Sequence, residues 1–367
     1  MIYPVRAEVT EEICLSQRQG FGNQYETLPF IPGRILWGTV ASLTGIRPGD
    51  KPDKNFMNIF YSGNVVFSNL YPEDKGGYRT KPAPLSARTF KSAPGFKSDG
   101  VDYSQNGYAD GVDDWLLRGI PENVEYEDYV KHQGFYSGNP PACNTFHLSF
   151  NQLTQHERDN IRGVTKAGRL FSRITIPRGT VFIGYIKSNI NDLDKTLEDT
   201  LKKMGIIDGI EIPIGRSPGR IFLKKEDDVT KVLNENINFY PEYFSISCYS
   251  DTILPDSFHR YLTYVPETII SDIVRDTVEF CKLERFFSSK KVVHGWNGAY
   301  QRPLEAEIAI SMGSSFLFRF ELKRDKNQSD LIGAFKELQA HGLGLRRQEG
   351  FGEIRINDPF HFQSGVM

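Results

Sequence analysis

Cysteine is scarce in this chain. The four residues, Cys14, Cys143, Cys248 and Cys281, are spread over 367 positions and form no CxxC pair. That spacing excludes a zinc ribbon or a disulfide framework, and buried free thiols in a reducing compartment are expected instead. Long apolar runs are missing too. Nothing approaches the roughly 20 residues of a membrane span, and residues 1–9 lack the basic-then-apolar pattern of an export signal. A cytoplasmic protein with no membrane partner is expected. A basic excess is also absent: 44 Lys and Arg stand against 46 Asp and Glu, a net charge of −2. A free-standing nucleic-acid binder usually carries a positive surplus. Unevenly spread charge still permits one basic face, or a groove completed by partner chains.

Catalytic spacings are equally thin. The chain has no GxxxxGK[ST], no HExxH and no GxSxG, which leaves out the phosphate loop, the helical zinc site and the nucleophile elbow. Its seven histidines are scattered, and none pairs with another at metal-ligand spacing. No metal, no cofactor and no catalytic residue is therefore assigned. His147 lies in Phe146-His147-Leu148-Ser149-Phe150, an alternating run that reads as a strand. Nothing nearby completes an acid–base pair, so a hydrogen-bonded structural histidine is the plain reading. A role in RNA cleavage is the sharper alternative.

Aromatics reach 13%, with 33 Gly and 20 Pro, a mixture that favours strands and long structured loops over a helical bundle. The pattern falls into two halves, 1–225 and 226–367. In the first, strand-like 3–9 precedes a Pro-Gly turn and a short helix burying Ile35, Leu36 and Val40. Further strands are expected at 145–150, 170–176 and 180–186, then a helix over 191–204 with Leu193, Leu197 and Leu201 on one face. In the second, the spacing predicts a strand at 243–249, a helix over 267–283, strands near 291 and over 305–322, and a helix over 329–341. Each half reads as strand, helix, two strands, helix, glycine loop, strand. The fold class is α+β, with two ferredoxin-like (RRM-like) halves. Residues 64–140 read as an insertion in the first half. Its charge is segregated: Lys75, Arg79, Lys81, Arg88, Lys91 and Lys97 precede an acidic stretch from Asp99 to Asp128. Such segregation marks two contact surfaces, the basic one toward RNA, or else a solvated loop.

The C-terminal glycine loop carries the most chemistry. Gly342, Gly344, Gly350 and Gly352 surround Arg346 and Arg347, whereas a helix C-cap needs one glycine. Glycine lets the chain approach another backbone closely and bares its N–H groups. Arginine forks suit phosphate. Phe351 can stack on a base or pack in the core. A tight structural turn is the alternative for the whole loop.

Here the sequence resembles the RAMP superfamily of CRISPR-associated, repeat-associated RNA-binding proteins. The resemblance spans nearly the whole chain. It rests on Ile31-Pro32-Gly33-Arg34-Ile35-Leu36-Trp37-Gly38, on residues 60–72, on Pro82-Ala83-Pro84, on Gly168-Arg169-Leu170-Phe171, on residues 179–184, on Met312-Gly313-Ser314-Ser315-Phe316 and on the loop from Gly342 to Gly352. It is similar in particular to the two-ferredoxin subunit of type III-D effector complexes that occupies the 5′ handle of crRNA. The resemblance implies a non-catalytic RNA-binding ribonucleoprotein subunit of antiviral defence. The implied partners are crRNA, the large polymerase-like signalling subunit and backbone RAMP subunits, with target RNA met indirectly and cleaved by those neighbours. Arg34 departs from the family's small hydroxyl residue and Trp37 from its lysine. The first-half loop, 214–220, lacks the full Gly-x-Gly ending; if one of the two loops does not touch RNA, it is expected to be this one. The expected RNA contacts are Arg18, Arg34, Trp37, Lys81, Arg88, Lys91, Arg169, Arg216, Arg220, Gly342, Gly344, Arg346, Arg347, Gly350, Phe351 and Gly352, with Tyr78 and Phe90 as further stacking platforms. A crRNA-processing endoribonuclease of the same superfamily and a purely structural bridge between subunits are the alternatives.

Overall fold

The structure, a computed structural model, describes residues 1–15, 24–47, 49–100, 112–120, 128–139, 142–158, 165–215, 219–233, 236–297 and 302–362. Strand Ile2–Glu11 alternates, so Tyr3, Val5, Ala7 and Val9 share one buried face. It lies antiparallel between Val181–Ser188 and Arg220–Lys225. Val65–Phe67 extends the sheet past Val181–Ser188, and Ile210–Pro213 extends it past Arg220–Lys225. Helices Gly33–Ser42 and Asn191–Lys203 complete the half. They bury Leu36 and Val40, and Leu197 and Leu201, each pair one helical turn apart.

The second half repeats the plan. Tyr243–Cys248 lies antiparallel between Ser315–Leu322 and Ile354–Ile356, with Val278–Phe287 on the far edge. Helices Glu267–Val274 and Gln328–His341 pack on it. Asn327 caps the latter, accepting from Ser329 and Asp330 N–H while Asp330 reaches back. In each half the strand that opens the unit lies between the third and the last, and the second takes the edge. Both halves are therefore ferredoxin-like and the chain is α+β.

Three expectations change. The helix expected over 267–283 ends at Val274, and Val278–Phe287 is a strand. Its residues pair along Ser315–Leu322, and the ladder outweighs a helical pattern that short apolar runs cannot distinguish. The strand expected over 305–322 divides into Glu307–Ile310 and Ser315–Leu322, separated by a turn with Gly313 at φ 86°. Third, residues 64–72 are not peripheral: Val65–Phe67 and Tyr71–Pro72 pair with Val181–Ser188.

The rest of the inserted region builds small sheets of its own. Lys81–Pro82, Phe135–Asn139 and Ala142–Phe146 form one. In another, Ala87–Phe90 from the basic stretch lies between Val112–Asp114 and Tyr129–Lys131, with Arg88 opposite Asp113. A strand of the basic stretch thus pairs directly with one of the acidic stretch. This region is also stitched to the second half. Leu85 N–H donates to Gly313 O at 2.7 Å, and Arg285 donates to Leu116 O and Leu117 O at 2.6 and 2.9 Å. No disulfide joins any of the four cysteines, and three are buried. No helix among the described residues is long and apolar enough to cross a membrane.

Candidate nucleic-acid interface

The two motifs singled out by sequence, the turn before helix Gly33–Ser42 and the C-terminal glycine loop, meet. A Cβ on Gly33 would stand 2.9 Å from Gly350 Cα, and one on Gly350 would stand 2.8 Å from Phe67 O. Gly350 also sits at φ 86°, where side chains are strained. Cβ atoms on Gly342, Gly344 and Gly352 would strike the carbonyl oxygens of Gly352, Ile253 and Leu343. The glycines do permit close backbone approach, but the approached backbone is the protein's own. Around this seam, Asn69 accepts from Gly33 N–H at 2.7 Å and its carbonyl accepts from Arg79 at 2.8 Å. Arg79 forks onto Glu353 at 2.6 and 2.9 Å and lies over the Tyr71 ring. Burial opposes the Arg79 charge, yet the Glu353 carboxylate outweighs it and its pKa rises.

The arginines of the loop are drawn inward. Arg346, at φ 55°, pairs with Glu349 and Glu307 and stacks over Phe351. Phe351 is buried with Ile253, Val293 and Ala309, so it packs in the core. Arg347 is half-buried, and its guanidinium donates to His341 O at 3.1 Å. Arg34 donates across the seam to His294 O. Burial lowers its pKa, and the nearby Arg346 charge adds to that. Arg34 borders a small cleft in which two cations, Arg34 and Lys291, face two carboxylates, Asp251 and Glu349. Lys291 and Asp251 are paired at 2.8 Å.

Other expected contacts are also occupied by protein. Trp37 donates to Phe60 O at 3.1 Å and packs edge-on against Phe60 and Tyr61. Arg88 donates to Leu85 O and Ala87 O beneath Trp115. Arg220 lies near Glu11 and Glu211 at 3.5 and 3.6 Å. Phe90 packs on Tyr129. Lys91 and Tyr78 are exposed. Arg169 lies in strand Thr165–Thr175, with its side chain outside the description. Arg18 and Arg216 lie outside the described residues.

Lys81 alone among the expected contacts opens into a second, larger cleft between the halves, of about 270 Å³. One wall comes from Arg79, Lys81, Tyr185 and Lys187; the other from Lys336, Gln339, Glu353 and Arg355. Strand alternation explains the first wall, since Phe182 and Ile186 face the core while Tyr185 and Lys187 face out. Five cationic side chains line this cleft against one carboxylate, Glu353, which Arg79 occupies. Lys187 Nζ donates to Ala340 O at 3.0 Å. Burial lowers the Lys81 pKa, and an arriving anion would favour its charged form. Sequence reasoning missed Lys187, Lys336 and Arg355. Lone basic residues on a strand and a helix give no local motif.

It also missed a buried relay. Ser247 Oγ lies 2.8 Å from His361 Nε2, and His361 Nδ1 lies 2.7 Å from Asp114 Oδ2. The order matches a nucleophile triad, but Ser247 and His361 are sealed from solvent. The relay fastens the inserted region to the second half. Burial opposes the imidazolium, Asp114 outweighs it, and the His361 pKa is raised. His147 is exposed, one residue past strand Ala142–Phe146.

No protein-family model matches the chain, and no curated protein matches it. Solved structures do. One is a type III-B Cmr-beta assembly bound to cognate target RNA, at 13% identity, covering 91% of this chain and 94% of that one, with a TM-score of 0.46. Another is a RAMP protein binding different RNA substrates, at 11% identity, covering 97% and 99%, with a TM-score of 0.38. The likeness is one of chain path and assigns no residue a role.

Proposed function

We propose that this chain is an RNA-binding, non-catalytic RAMP subunit of a type III CRISPR effector, clamping the crRNA 5′ handle and bridging to the large signalling subunit. The observation that carries the reading is the larger cleft: five cations against one occupied carboxylate, between two ferredoxin-like halves. Cations in such excess position a phosphate backbone without reading sequence. The motif resemblance supplies the effector context. The net charge of −2 fits a subunit whose positive field is local and completed by neighbours.

The test is RNA binding across a salt series. Replacing Lys187 and Lys336 with alanine is expected to lower the slope of log affinity against log salt by roughly 1.4, about 0.7 per phosphate. Melting should change little. An unchanged slope in the folded variant would remove the cleft from the RNA path. Sequencing of RNA crosslinked in the assembled complex should recover a protected handle of defined 5′ sequence, and subunits purified without RNA would favour a bridge. Repeat-containing RNA incubated with the chain should stay intact; site-specific cleavage abolished by His147→Ala would establish the nuclease instead.

A further inference from the structure

The donors and acceptors of the larger cleft are unequal. Glu353 is forked by Arg79. Tyr249 O–H donates to Asp358 at 2.7 Å, and Thr80 O–H donates to Pro72 O at 2.9 Å. What faces the opening is therefore rich in donors. Lysine ammonium groups carry three donors each, and Lys187 Nζ donates to Ala340 O.

Gln339 is the one amide side chain on the cleft lining. Its Oε1 accepts from Ile356 N–H at 2.9 Å. A backbone N–H can only donate, so chemistry fixes the amide with its oxygen toward the strand and its NH₂ turned away. That NH₂ has no partner among the described residues. Lys336 precedes Gln339 by three positions on helix Gln328–His341, so the two share a helix face. The cleft thus pairs a cation with an oriented amide donor. Its volume of about 270 Å³ lies just below the range of drug-sized sites, roughly 300–1,000 Å³, which suits one nucleotide rather than a stack.

We propose that this cleft is a single-nucleotide subsite that prefers a keto base, uracil or guanine, with the Gln339 NH₂ donating to the base carbonyl and Lys336 and Lys187 holding the adjoining phosphate. The inference rests on the RNA-binding reading above and adds base selection to it. Free amides read adenine by using oxygen and nitrogen together. Here the oxygen faces Ile356 N–H and the NH₂ faces the cleft, so a base meets a donor, which suits O4 of uracil or O6 of guanine and opposes the amino groups that adenine and cytosine carry at the same ring positions.

The probes are short single-stranded oligouridylate and oligoadenylate, with UMP and AMP as competitors, on the full chain. Oligouridylate is expected to bind roughly five- to tenfold more tightly than oligoadenylate. Gln339→Glu retains an acceptor for Ile356 N–H but replaces the donor with an anion. It should bring the ratio to about one or invert it, even as both affinities fall. Gln339→Ala should also bring the ratio to about one, with a melt recorded to show that the chain is folded. UMP should displace oligouridylate better than AMP does. UMP weaker than the oligomer assigns the site to a residue of an RNA chain, the result expected; UMP equally tight assigns it to a free nucleotide. A wild-type ratio near one, with the salt slope still answering to Lys187 and Lys336, would overturn base selection and leave RNA binding standing. An unchanged ratio in Gln339→Glu would overturn it equally. No binding of either polymer would bring down both readings.

Discussion

The small cleft at the glycine loop and the large cleft beneath helix Gln328–His341 both lie between the halves, and they treat charge oppositely. The small one matches two cations to two carboxylates. The large one sets five cations against one. The first is a finished surface, because its charges are neutralised within the fold and its glycines bring protein backbone onto protein backbone. The second gathers more cations than carboxylates, which is what a polyanion needs. Glycine and arginine together therefore do not identify a phosphate cradle; the partner of each group does.

The sharpest way to break this contrast is at the pair that holds the seam. Arg79→Met would leave the largely enclosed Glu353 without its cation, at a cost of about 3 kcal/mol. Chemical denaturation should show it, and Arg79→Met combined with Glu353→Gln should recover part of the loss. Close behind is Gly350→Ala, which places a Cβ 2.8 Å from Phe67 O at φ 86° and should cost on the order of 3 kcal/mol. The same strain applies to Gly344→Val, so lost folding, rather than lost RNA contact in a folded chain, is the expected result there.

Acid should act on the inserted region. His132 is buried, its Nε2 has no hydrogen-bond partner, and burial pulls its pKa down to about 4. The unfolded chain takes up this proton first, near pH 6.5. Stability is thus complete above that value and falls as pH drops toward about 4, by up to about 3 kcal/mol. Urea midpoints between pH 7 and pH 4 should fall less in His132→Leu than in wild type; parallel declines would remove His132 as the cause. The smallest effects sharpen the comparison from the other side. Arg347→Ala should change stability by no more than about 0.5 kcal/mol. Arg346→Ala should lower stability, through Glu349 and Glu307, while leaving the salt slope of RNA binding alone. A fall in slope without a fall in melting temperature would return Arg346 to the RNA.

Much of the architecture was legible because local patterns agreed with the final packing. Leu197 and Leu201 one turn apart and the alternation of 3–9 each specify an element without outside help. Val278–Phe287 was misread because the edge strand takes its conformation from Ser315–Leu322, far along the chain. The candidate site was less legible. Lys81 was found among charged neighbours, but Lys187, Lys336 and Arg355 carry no motif. Gln339 becomes informative only when Ile356 N–H fixes its amide.

The sequence by itself determined two units of alternating strands and amphipathic helices, the glycines that permit close backbone contact, and an overall charge near balance. These depend on residue type and spacing within a few turns of chain. Tertiary structure alone decided which cations meet matching carboxylates and which gather in excess of them. Arg346 finds Glu307 and Glu349, whereas the large cleft gathers five cations, Arg79 among them, around the single carboxylate of Glu353. Coulomb interactions depend on separation in space and on burial, and neither can be read from distance along the chain.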